Sequence, residues 1–132
     1  MRLAVGIGCD RGTPLETLQQ ALDQALALAS ATVGDVAVAA SIDLKRDEPG
    51  ILALAAIHRW DIVFYPAAIL AAVPVPHPSE TVRRHTGTPS VAESAALLAA
   101  DADMTHLIVE KYKLHGADGR NATISIARIP HD

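Results

Sequence analysis

The stretch "RLAVGIGCDRGTPLETLQQALDQALALASA", Arg2–Ala31, decides the fold class. It opens with a short apolar run carrying two glycines, which reads as a buried strand. "DRG" follows as a loop. Beyond it, Leu15, Leu18, Leu22, Ala25, Leu26 and Ala29 recur at spacings of three and four, giving a helix with one apolar face. Thr13 is placed to cap this helix, Pro14 suits its first position, and Glu16 completes a capping box. A buried strand running straight into an amphipathic helix is the start of an α/β unit.

The pattern continues. Gly34 and Asp35 turn the chain into "VAVAASIDL", a second strand. Asp47 is expected to cap a helix over "EPGILALAAIHRW", with Pro49 in its first turn. "DIVFY" reads as a third strand, and Pro66 opens a short helix, "AAILAAV". "VPVPHP" is extended, because each residue before a proline is pushed away from helix. Ser79 starts a short helix that Gly87 ends, and Ser90-x-x-Glu93 is a capping box ahead of the almost wholly apolar "VAESAALLAA". A helix apolar on all sides is buried. "HLIVEKYKLH" and "ATISIARI" are strands joined by "GADGRN", a hairpin loop. Helices between the early strands imply parallel pairing, and the terminal hairpin adds an antiparallel part. The expected fold is a single α/β domain over residues 1–132: three layers, α/β/α, around a mixed, mostly parallel sheet.

Composition narrows the function. Half of the 132 residues are apolar, and many are alanine, which favours close packing over a bulky aromatic core. The net charge is −4 and there are only four aromatic residues, so nucleic acid is not an expected partner. No apolar run approaches the roughly 20 residues of a membrane span, so no membrane partner is expected either. A lone Cys9 allows no internal disulfide and fits a reducing cytosol, and a cytoplasmic location is expected. The histidines show no compact ligand spacing, so neither a metal nor a cofactor is assigned.

Several junctions can carry chemistry. "GIGCDRGTP" is a glycine-rich turn before a helix, suited to an anion, but its glycine spacing is not the dinucleotide fingerprint. Cys9 beside a helix start and Arg11 is either a nucleophile with a lowered pKa or a small buried residue at a strand end. Lys45 and Glu48 follow the second strand, where ligands gather in open parallel sheets. Glu80 and Arg84 form an i,i+4 pair, while Arg83 and His85 stand beside two helix starts whose N–H groups favour an anion. The helix starts near Thr13, Asp47, Ser79 and Ser90 are expected to share one cleft with the carboxyl ends of the first two strands.

The pieces "GIGCDRGTP", "SIDLKRDEPGILALA", "VPHPSETVRRHTGTPSVAESAALLAA", "LIVEKYKL" and "NATISIARI" resemble, in order and across nearly the whole chain, the CobE family, the same domain as the C-terminal part of CbiG. The resemblance implies a part in cobalamin biosynthesis, during contraction of a methylated tetrapyrrole to a corrin ring. It implies a precorrin or corrinoid intermediate as partner, together with other enzymes of the corrin pathway. The implied ligand is flat and edged with acetates and propionates, and the chain's likeness to a stand-alone form of the domain implies a metal-free one. Candidate ligand-binding residues are Cys9, Arg11, Gly12, Thr13, Lys45, Glu48, Glu80, Arg83, Thr88, Ser90, Glu93 and Lys111. Three functions fit: a carrier or accessory to ring contraction, an enzyme acting on a ring lactone or substituent, or an anion-binding α/β domain unrelated to corrinoids.

Overall fold

The computed structural model describes residues 1–76, 78–79 and 90–130. Five strands form one sheet: β1 (Leu3–Cys9), β2 (Val36–Ile42), β3 (Ile62–Tyr65), β4 (Leu107–His115) and β5 (Asn121–Arg128). Their order is β3-β2-β1-β5-β4. β1 pairs parallel with β2, and β2 with β3, whereas β5 runs antiparallel to both β1 and β4. Every strand but β5 therefore points the same way, which is the mixed, mostly parallel sheet expected. The hairpin is tucked in so that its second strand, not its first, adjoins β1.

Among the described residues, four helices cover the sheet: α1 (Leu15–Leu28), α2 (Pro49–His58), α3 (Ala67–Ala71) and α4 (Val91–Ala100). The alternation of β1 sorts them into layers. Leu3, Val5 and Ile7 face a core shared with Leu18 and Leu22 of α1 and Ile51 and Leu54 of α2. Ala4 faces the other way, onto Ala96, Leu97 and Ala100 of α4. Ala40 and Ile42 of β2 extend that second face onto Val91 and Ala95. The large side chains of the first core are mainly leucine and isoleucine, whereas the second core is mostly alanine, so α4 lies closer to its side of the sheet.

Gly6 sets that closeness. A Cβ on Gly6 would stand 1.8 Å from the carbonyl oxygen of Ala92, inside the backbone of α4. The glycine thus serves helix packing rather than an anion. Two residues on, a Cβ on Gly8 would meet nothing nearer than 3.8 Å, from Val91.

The helix starts differ from expectation. α1 begins after Pro14, and Thr13 does not cap it: its hydroxyl donates to the carbonyl of Asp10 at 2.7 Å. α2 begins after Glu48 without a side-chain cap, because Asp47 pairs instead with Arg11. Ser90 is the residue before α4, yet its hydroxyl donates to Glu93 Oε1 at 2.8 Å rather than accepting a backbone N–H. The reciprocal box does form in the short turn Val33–Asp35, where Thr32 N–H donates to Asp35 Oδ2 at 2.9 Å. The helix expected from Ser79 to Gly87 lies outside the described residues.

Gly6→Ala should lower stability by at least about 3 kcal/mol, since the added methyl collides with backbone that cannot rotate away. Gly8→Ala should cost less than about 1 kcal/mol. Urea unfolding of the two variants checks this, and equal losses would show that α4 does not rest on Gly6.

Candidate functional site

Because α4 lies so near the sheet, its first turn meets the carboxyl ends of β1 and β2 beside the β4–β5 hairpin. There the surface opens into a cleft of about 440 Å³. Gly8 and Thr123 lie on its floor, and they stand in one row across the sheet with Lys113. Ser90, Val91 and Ala92 form the helix wall with Ile42, and Ser79 closes one side. Lys45 stands past the end of β2, and Lys111 and Lys113 project from β4 on the far side. Cys9, Asp10 and Asn121 complete the rim.

The sequence has three lysines, Lys45, Lys111 and Lys113, and all of them line this cleft. None of the described arginines does. Asp10 is the one acid among the described lining residues. It is held in place as acceptor of the Asn121 backbone N–H at 2.8 Å and the Asn121 side-chain amide at 3.1 Å. An acidic chain has thus gathered its lysine side chains at one place.

Lys111 reaches the cleft by a break in strand register. Val109 pairs with Ile126 and Tyr112 with Ile124, so two β4 residues oppose one on β5. Val109 and Tyr112 both face the α1 side. With plain alternation Lys111 would follow Val109 into that core; the extra residue turns it to the other face. The carbonyl of Glu110 at this bulge accepts the Ser125 hydroxyl at 2.6 Å, which satisfies the backbone where the ladder is interrupted.

Beneath Lys111 lies Glu93, which is 0% exposed. A buried carboxylate is costly unless paired. Glu93 accepts the Ser90 hydroxyl and stands 3.9 Å from Lys111 Nζ. The side chain of Lys111 is itself only 26% exposed, so the pair is a tethered one.

The remaining candidates lie elsewhere. Glu48, 1% exposed, accepts the Gly12 N–H at 3.0 Å and Arg11 Nη1 at 3.3 Å. Arg11 also bonds Asp47 at 2.8 Å and the carbonyl of Leu44. Its hydrogen bond and charge hold the Asp47 carboxyl below the usual carboxylate range. Arg11, Gly12, Thr13 and Glu48 therefore bind the loop after β1 to the turn before α2. The starts of α1 and α2 meet in a separate groove lined by Gly12, Thr13, Glu48 and Gly50. The expected single cleft is thus divided: α1 and α2 cover one face of the sheet and α4 the other, so Ser79 and the α4 start join the lysines and the starts of α1 and α2 do not. Glu80, Arg83 and Thr88 lie outside the described residues. Burial pushes the Cys9 thiol up to about 11, against the pull of the Lys45 ammonium. That is opposite to the lowered pKa a nucleophile would need. Among the described residues, no cluster of His, Cys, Asp or Glu could hold a metal ion, and no helix is long and apolar enough to cross a membrane.

Sequence reasoning missed Lys113, Asp10, Asn121 and Thr123. Scarcity was the available signal for Lys113: in "EKYKL" two of the three lysines alternate on one strand.

The chain matches the family model described as Cobalamin synthesis G C-terminus over residues 3–127. It is 41% identical over 111 residues to Protein CobE of Sinorhizobium sp, covering 83% of this chain and 71% of that protein. It is 35% identical over 130 residues to the cobalt-precorrin-5A hydrolase of Priestia megaterium. That match takes in 98% of this chain but 33% of the hydrolase, so the chain spans about a third of that relative's length. The crystal structure of CobE, a protein from the cobalamin (vitamin B12) biosynthetic pathway, superposes with a TM-score of 0.80 at 32% identity, covering 96% of this chain and 92% of that one. With the five-stranded mixed sheet and the α4-side cleft in place, the chain belongs to the CobE/CbiG C-terminal family of cobalamin biosynthesis proteins.

Proposed function

We propose that this protein binds a carboxylate-rich precorrin or corrinoid intermediate in the lysine-lined cleft, as a carrier or accessory to ring contraction in the cytoplasm. The observation that carries the reading is the convergence of every lysine in the chain on one cleft. An ammonium group is a compact, strongly hydrated charge on a flexible stem, suited to follow carboxylates on short side chains around a ring. The glycine, isoleucine, valine and alanine between the lysines offer apolar surface to a flat macrocycle. The first turn of α4 adds outward-facing N–H groups of the same electrostatic sign.

The hydrolase relative favours a second reading, in which the same cleft acts on a ring lactone. In that case Lys111, tethered by Glu93, is the group placed to stabilise negative charge developing on a lactone oxygen. Burial, which pushes the Cys9 thiol up, works against Cys9 as the nucleophile of this second reading.

Titration with a metal-free, carboxylate-edged precorrin intermediate, followed by absorbance and mass, separates the two. The carrier reading predicts a stoichiometric spectral shift, no new mass, and affinity that weakens several-fold as salt is raised through the range where the Debye length falls below about 10 Å. Product accumulating over many turnovers would establish the enzyme instead. A second expectation concerns Cys9. Its alkylation by iodoacetamide at neutral pH should be much slower than that of a free thiol, and Cys9→Ser should leave ligand affinity within about twofold. Rapid alkylation abolished by bound ligand, together with lost function in Cys9→Ser, would restore the thiol as a working group.

A further inference from the structure

The three lysines of the cleft are not equivalent. Lys111 stands on the β4 side and is paired with the buried Glu93. Lys45 and Lys113 have no ion pair among the described residues, and they stand on opposite sides of the floor. β2 and β4 are three strand spacings apart, with β1 and β5 between them. At about 4.8 Å per spacing, their ends are separated by on the order of 14 Å. Among the described residues, the surface between is neutral or apolar apart from Asp10 and Lys111: Gly8 and Thr123 below, Ile42, Val91 and Ala92 alongside.

We propose that the cleft grips its ligand by two carboxylates on opposite edges of a flat apolar body, one at Lys45 and the other at Lys113, which makes these two lysines the specificity-determining residues. This rests on the binding function proposed above and narrows it from a carboxylate-rich ligand to one with two carboxylates at a fixed separation. Lys111 contributes little to selection, because Glu93 already compensates its charge. Asp10, pinned by Asn121 at the carboxyl end of β1, disfavours a further carboxylate between the two ends and leaves an acceptor there for an N–H or O–H group. A ligand with one carboxylate satisfies only half of the grip. Its loss should be large, because an ammonium–carboxylate hydrogen bond is among the stronger polar contacts.

Biphenyl-4,4′-dicarboxylate and biphenyl-4-carboxylate test the geometry without any corrinoid. Calorimetric titration of the wild type should show the dicarboxylate bound at least about tenfold more tightly than the monocarboxylate. In Lys45→Met and in Lys113→Met that ratio should fall to about twofold or less, with melting temperatures confirming that both variants are folded. An equal ratio in wild type and variants, or undetectable binding of the dicarboxylate to the wild type, overturns the two-ended grip. The same variants titrated with a metal-free corrinoid polycarboxylate separate the two levels of the account. A corrinoid that binds wild type and both variants equally sinks the grip and leaves the binding function standing. A corrinoid that fails to bind the wild type sinks the binding function, and the biphenyl ratio then decides by itself whether the cleft reads paired carboxylates.

Discussion

The seating of α4 on the bare backbone of Gly6 governs the rest of the molecule. With no side chain between them, helix and sheet touch at the carbonyl of Ala92. Small residues fill most of such an interface, which accounts for Ala4, Ala40 and Ala127 on the sheet and Ala92, Ala95, Ala96 and Ala100 on the helix. Close packing of small groups recovers in dispersion contacts some of what it gives up in apolar area per residue. It also fixes where α4 begins. Ser90, Val91 and Ala92 are held against the ends of β1 and β2, and the cleft is the space that this arrangement leaves beside them.

Two buried glutamates then divide the labour. Glu48 collects Gly12 and Arg11, and so holds the loop after β1 to the turn before α2. Glu93 collects Ser90 and Lys111, and so joins the start of α4 to β4. Each is a carboxylate that would be costly to bury by itself. Each spans two elements distant in sequence, one on either face of the sheet. The Glu48 set fixes structure. The Glu93 set opens onto the lysines of the cleft.

The five strands, the four described helices and the sense of the parallel pairing were legible because period-two and period-3.6 patterns act over short range. The family resemblance was legible from the ordered motifs, and the match over residues 3–127 bears it out. What remained hidden were effects of tertiary placement. Thr13 and Asp47 have the chemistry of helix caps, yet Asp10 and Arg11 lie nearer and claim them. Ser90 and Glu93 have the spacing of a capping box, but burial of the carboxylate makes the serine hydroxyl its donor instead. Lys111 was legible as a cation on a strand. Its side of the sheet was not, because a bulge shifts every later residue by one position and only the pairing with β5 reveals it. The pairing of Arg11 was hidden as well, because nothing local showed that a carboxylate 37 residues away would hold it.

If the three lysines form one binding surface, a bound ligand must shield all of them at once. Acetylation footprinting reads each of them separately, with the α-amine of Met1 as an internal reference remote from the cleft. In a complex saturated with a metal-free, carboxylate-edged corrinoid, acetylation of Lys45, Lys111 and Lys113 should slow together while Met1 reacts as before. A saturated complex in which all three lysines react at the rate of the free protein would contradict the account.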